Sequence, residues 1–164
     1  MHLKLQMARI SKMAAPAGAM IIPLMTVPVM MLALSLSSCN RMPAYGKAPL
    51  DGRGDVAIDV KTLRRKVPVF YSFELGGRRI DFFLIKVNGD IQSYFDACAM
   101  CYPKKLGYRI EGGNIVCRAC NLTYTADELK TGKGSCHPIA LEGHVEKGFY
   151  IITKGAIKAG ANYF

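Results

Sequence analysis

Four cysteines in two Cys-x-x-Cys pairs, Cys98/Cys101 and Cys117/Cys120, stand fifteen residues apart, and Cys136 follows after another fifteen. Cysteine thiolates bind soft metal ions. Two such pairs close a tetrahedral site when each sits on a tight knuckle and the intervening chain folds back. Soft sulfur suits zinc, copper(I) and iron–sulfur centres alike, so ligand type alone leaves the metal open. Three other readings of the same residues compete with a redox-active iron site. One is two disulfides with Cys136 left over, as five cysteines in an oxidising compartment would allow. Another is a zinc ion that only staples a small fold and supports a protein partner. The third is a thiol–disulfide oxidoreductase, which needs a low-pKa thiolate, usually at a helix start, and neither pair opens a convincing helix. Haem attachment is excluded, because Tyr102 and Asn121 follow the pairs where a histidine is required.

Cys136 reads as a fifth sulfur within reach of the site, a ligand in one redox state or a buried small hydrophobe, and His137 as an additional ligand or a solvent-facing loop residue. Lys104, Lys105, Arg109 and Arg118 lie within or between the pairs, where they either offset thiolate charge or form a solvated basic face. His144 falls in a predicted strand with no chemistry attached. The chain offers no nucleophile–base pair, no paired carboxylates and no phosphate-binding glycine loop. The expectation is therefore an electron carrier or metal-handling protein rather than an enzyme, with no small-molecule substrate identified.

The elements that must position these sulfurs read as strands. Val56–Val60, Val67–Leu75, Arg78–Val87 and Ile91–Phe95 predict a meander of about four strands. Gly76-Gly77 and Asn88-Gly89 serve as its two-residue turns. Phe70, Phe73, Phe82 and Leu84 are its expected core face. Tyr108–Ile110 and Ile115–Val116 form a hairpin across Gly112-Gly113 that returns Cys117 toward Cys101. Leu122–Thr125 is a short strand, Ala126–Lys130 one helical turn, and Lys133–Pro138 a loop. Ile139–Val145 and Phe149–Thr153 form a last hairpin. The fold class is mainly β: a small antiparallel sheet or barrel-like domain with two hairpin knuckles, Rieske-like or zinc-ribbon-like, preceded by an N-terminal signal or anchor.

That N-terminal segment is an address. Lys4, Arg9 and Lys12 precede an uncharged apolar run over residues 13–38, which ends Leu36-Ser37-Ser38-Cys39. This is the pattern of a secretory signal peptide, and the ending resembles a bacterial lipoprotein box, with Cys39 as the lipidated residue. The competing reading is an uncleaved membrane anchor, weakened by Pro16, Pro23 and Pro28. The expected division is signal over 1–38, lipidated cysteine and tether over 39–54, and a cysteine-rich metal-binding domain over 55–164. Either reading places the domain outside the cytoplasm, on the periplasmic side of a bacterial membrane. The formal charge of +10 suits an acidic redox or transport partner or an anionic membrane face. Nucleic acid is not expected, since no basic–aromatic interleaving or helix-turn-helix pattern is present.

The ordered segments Ile80–Lys86, Phe95–Tyr102, Lys105–Tyr108, Ile115–Cys120 and Gly134–Pro138 resemble the membrane iron–sulfur FtrD-like family over about Val56 to Thr153. The resemblance puts the family's cysteines on Cys98, Cys101, Cys117, Cys120 and Cys136. It implies an iron–sulfur or iron-linked redox role at a bacterial membrane, tied to iron uptake or electron transfer. Asn121 stands where the family usually has glycine, and Ser135 and His137 where it has glycine and asparagine. Some members carry several membrane helices and this chain has at most one, so no permease role is carried over. A more distant analogy is to Rieske domains, where two histidines replace two of the cysteines and a proline-containing loop lies over the cluster; the analogy implies that Cys136-His137-Pro138 caps the site. All-thiolate ligation implies a lower potential than theirs.

Overall fold

The computed structural model describes residues 42–164; the signal or anchor segment and Cys39 lie outside the described residues. The framework is a meander of three long antiparallel strands, β3 (Val69–Leu75), β4 (Arg78–Val87) and β5 (Asp90–Cys98), with the short strands β1 (Tyr45–Lys47) and β2 (Val56–Asp59) before it in the chain. Gly76-Gly77 and Asn88-Gly89 turn the chain between them, and all four residues take positive φ. Those are the dihedrals a tight twisted hairpin demands, and glycine and asparagine tolerate them best.

Strand β4 is buried on both faces. Ile80, Phe82 and Leu84 point into one apolar core, and Phe83, Ile85 and Val87 into a second. A strand covered on both sides reads as one continuous apolar run, because alternation of side chains no longer separates water from core. The first core is closed by a three-stranded sheet of β2 (Val56–Asp59), β10 (His144–Glu146) and β11 (Phe149–Ile152). The second is closed by β6 (Tyr108–Glu111), β7 (Asn114–Cys117) and β8 (Thr123–Tyr124). Cys98 and Cys117 belong to this second core.

Aromatic rings tie the second core together. Phe70, Phe83 and Tyr94 stand side by side across β3, β4 and β5, with ring centroids 5.0 and 5.4 Å apart. Tyr108 meets Phe83 edge-on at 5.9 Å, and Tyr124 meets Tyr108 at 6.3 Å. The contact runs from the central sheet straight to the hairpin that carries Cys117.

The structure departs from the sequence reading in four places. The strand at Val56 does not continue into the meander; it pairs with β11 instead, Tyr150 opposite Ile58. Within the segment read as a tether, β1 (Tyr45–Lys47) pairs in parallel with β3, and Ala48 is buried. Ile139–Val145 is not one strand: β9 (Pro138–Ala140) joins β5, and β10 pairs with β11. Phe70 lies in the opposite core from Phe73, Phe82 and Leu84, since positions 70 and 73 differ by an odd step on a strand. The C-terminal tail forms helix α1 (Lys154–Ala159), capped by the Thr153 hydroxyl, which accepts from the Ala156 amide at 3.1 Å. Tyr163 and Phe164 beyond it pack on Phe95.

Truncating either buried β4 phenylalanine to alanine should cost about 3–5 kcal/mol, read as a lower urea midpoint. The two variants should differ in one respect. Phe83→Ala should speed thiol alkylation in the folded protein, because it loosens the cysteine layer, whereas Phe82→Ala should leave that rate unchanged.

Candidate metal centre

Each cysteine pair sits where a strand ends. Strand β5 delivers Cys98, and the chain turns at once: the Cys101 amide donates to the Cys98 carbonyl at 3.0 Å. A single 3-10 turn over Tyr102–Lys104 follows, with Pro103 inside it, and Lys105 and Gly107 take positive φ to reverse the chain. Strand β7 delivers Cys117, and the Asn121 amide donates back to its carbonyl at 2.8 Å. Asn121 has φ +60°, a left-handed conformation that glycine and asparagine reach most easily. Its side chain accepts from Arg109 at 3.1 Å, a bond that glycine at this left-handed position would not make.

Strand register brings the two knuckles together. Tyr108 lies opposite Cys117, so the residues just before β6 fall beside the residues just after β7. The Arg118 amide donates to the Gly107 carbonyl at 3.0 Å, and its guanidinium donates to the Leu106 carbonyl at 2.6 Å. A third loop completes the cluster. Lys133 and Cys136 exchange backbone hydrogen bonds at 2.8 and 3.2 Å. The Tyr124 hydroxyl donates to the Cys136 carbonyl at 3.1 Å, and the Ala99 amide donates to the His137 carbonyl at 3.0 Å.

The result is a five-sulfur cluster. The sulfurs of Cys98, Cys101 and Cys136 all lie within 4.8 Å of one another, and so do those of Cys101, Cys117 and Cys120. Cys101 belongs to both trios. Sulfurs around one tetrahedral ion at about 2.3 Å stand roughly 3.8 Å apart, so either trio can hold a metal. None of the five is in a disulfide. Cys98 and Cys117 are buried, Cys101 and Cys136 half-buried, and Cys120 exposed. His137 is exposed and its ring is in neither trio; its contribution is the carbonyl that ties the Cys136 loop to the first knuckle. His144 is exposed on β10, near Glu146.

The protonation pattern of the metal-free cluster is split. Burial opposes charge on Cys98, but the amides of Met100 and Cys101, the Cys101 thiol and the Tyr108 hydroxyl outweigh it and lower its pKa. Cys120 is likewise lowered against burial, by the Leu122 amide and the Cys117 and Cys101 thiols. Burial pushes Cys117 up to about 12, and burial with the neighbouring Cys120 and Cys98 charges pushes Cys101 up to about 11. Cys136 is raised by burial and by the Cys98 and Cys120 charges. Like charges this close cannot all form unless a cation joins them. The Tyr108 hydroxyl is buried with no nitrogen or oxygen partner. Its own ionisation is opposed by burial, then by the Cys98 and Cys117 charges, and it lies within reach of the Cys98 sulfur. A buried donor whose neighbour is a sulfur is satisfied when that sulfur is a thiolate, as it would be in a metal-bound centre. The donor set therefore fits a soft metal or an iron–sulfur group.

Asp96, two residues before Cys98, joins the elements beneath the site. It is buried and accepts from the Tyr45 hydroxyl at 2.5 Å and the Tyr108 amide at 2.8 Å. A side chain at Gly107 would strike its carboxylate, and Gly107 also holds φ +66°. Burial lifts the Asp96 pKa to about 6 in spite of those two bonds. Sequence reasoning passed over Asp96, Tyr108 and Tyr124. The available signal was an acid set among apolar residues at the end of a strand. A cavity of about 260 Å³ opens beside the cluster, lined among others by Tyr45, Arg79, Asp96, Cys98, Cys101 and Arg118.

The family model for membrane iron–sulfur containing proteins, FtrD-like, matches residues 63–164. The chain belongs to this family. The FtrD-like match takes in all five clustered cysteines and runs through α1 to the end of the chain. No curated protein and no solved structure matches the chain. No helix among the described residues is long and apolar enough to cross a membrane.

Two outcomes follow from this geometry. Between the ordinary carboxylate value of 3.8 and about 6, folded Asp96 holds a proton that the unfolded chain has lost. The contribution of Asp96 to unfolding free energy should therefore fall by about 3 kcal/mol as pH rises through that window, read as the difference in pH slope between wild type and Asp96→Asn in paired denaturation series. At Asn121, replacement by glycine should leave stability within about 0.5 kcal/mol, whereas alanine should cost about 1 kcal/mol or more in the same assay.

Proposed function

We propose that this protein is an extracytoplasmic electron carrier built on an iron–sulfur or iron centre, held by Cys98, Cys101, Cys117 and Cys120 and anchored to a bacterial membrane through a lipid on Cys39. The observation that carries the reading is the convergence of free thiols on two interlocked knuckles, in a chain of a family named for membrane iron–sulfur proteins. Such a centre supplies a reversible one-electron couple when bound.

The protein's own groups prepare that couple. Cys98 and Cys117 form the dry inner edge of the site and Cys120 the wet outer edge, so electrons enter and leave by Cys120. Amide donors at Cys98, Cys117 and Cys120 stabilise negative sulfur and tune the potential. Met100, Tyr102 and Leu106 are exposed apolar side chains on the first knuckle and the turn after it, beside Lys104 and Lys105. That mixture suits a brief encounter with an acidic redox or iron-transport partner. No group in the domain is assigned bond-making chemistry, and the reading is of a carrier rather than an enzyme.

A structural zinc staple is the reading that the tight packing of the sulfurs also supports, and one measurement separates the two. Protein purified without oxygen should contain iron, with sulfide if a cluster is present. It should show visible charge-transfer bands that bleach on reduction. A colourless protein with stoichiometric zinc overturns the redox reading.

A further inference from the structure

We infer that the cluster is a two-ion site, in which Cys101 is a bridging thiolate and Cys136 a full ligand. A single tetrahedral ion is satisfied by four thiolates, and two Cys-x-x-Cys pairs already supply them. The structure gathers five. It gathers them as two trios that share one member, Cys98/Cys101/Cys136 and Cys101/Cys117/Cys120, each with its sulfurs within 4.8 Å. Three sulfurs bound to one soft ion at about 2.3 Å stand roughly 4 Å apart, so both trios are near coordination distance. Sharing Cys101 leaves each ion two thiolates of its own: Cys98 and Cys136 for one, Cys117 and Cys120 for the other.

Cys136 is held for this purpose by more than proximity. Its loop closes on itself through Lys133, and its carbonyl accepts from the Tyr124 hydroxyl. The next carbonyl, of His137, accepts from the Ala99 amide inside the first knuckle. Two bonds thus fix the loop to its neighbours, one from Tyr124 on β8 and one from Ala99 inside the first knuckle. Electrostatics points the same way. One divalent ion among five close sulfurs leaves most of their charge uncompensated, whereas two nearly neutralise it. Cys120 is exposed and Cys136 half-buried, so each ion also has a side open to a fourth ligand from solvent.

The inference rests on the proposal that these sulfurs bind metal, but not on the metal being iron. The test uses cadmium as a thiolate-seeking probe on the full chain, purified reduced in mild detergent without oxygen. Native mass spectrometry and thiolate-to-cadmium absorption should saturate at two ions per chain. Cys136→Ser should halve this to one, and Cys101→Ser should weaken both sites together. Far-UV circular dichroism checks that the variants fold. If Cys101→Ser does not fold, the wild-type count and Cys136→Ser still decide. Saturation of the wild type at one ion, with Cys136→Ser unchanged, overturns the two-ion site and leaves an iron-dependent visible spectrum standing. No cadmium bound at all overturns both readings.

Discussion

A sulfur anion is stabilised by water, and Cys98 and Cys117 have almost none around them. That is the constraint the rest of the structure answers. Peptide amides replace part of the lost hydration, and the knuckle turns exist to aim them. Turns of that shape need left-handed residues, which is why Lys105, Gly107 and Asn121 stand where they do. The turns are then useful only if strand register sets them side by side. Tyr108 opposite Cys117 does so, and Asp96, held by Tyr45 and bonded to the Tyr108 amide, keeps that hairpin seated on the central sheet.

The central sheet contributes rigidity of a particular kind. Because β4 is covered on both faces, the cysteine layer rests on a support that is itself packed from behind. Small shifts on one side meet resistance from the other, since packed interiors deform little. Centres that exchange electrons benefit when their ligands move little between states, and the aromatic row from Phe70 through Phe83 to Tyr108 extends this stiffness to the edge of the sulfur cluster.

Local features of this fold were legible in the sequence, and long-range ones were not. Gly76-Gly77, Asn88-Gly89 and Gly112-Gly113 announce hairpins because positive φ is a demand few residues meet. The cysteine spacing announces a site because ligands must come in close pairs. Nothing local tells that Val56 should pair with β11 nearly a hundred residues away, or that Tyr45 should run parallel to β3. Strand partners across such distances are chosen by which faces are left uncovered, a property of the assembled sheet. The same holds for Phe70, whose side was misassigned because β4 carries two cores rather than one. Asp96 was missed for a related reason: a single acid in an apolar run gains meaning only when Tyr45 and Tyr108 arrive beside it.

Strand β1 has a mechanical consequence. Only five residues separate Cys39 from Tyr45, and a chain that short reaches at most about 20 Å in any conformation. Tyr45 and Met42 line the same cavity as Cys98 and Cys101, so the leash leaves the domain at its sulfur-bearing end. With a lipid on Cys39, the centre would ride low over the headgroups instead of projecting outward. A protein that exchanges electrons with it would then have to lie in, or skim along, the same bilayer.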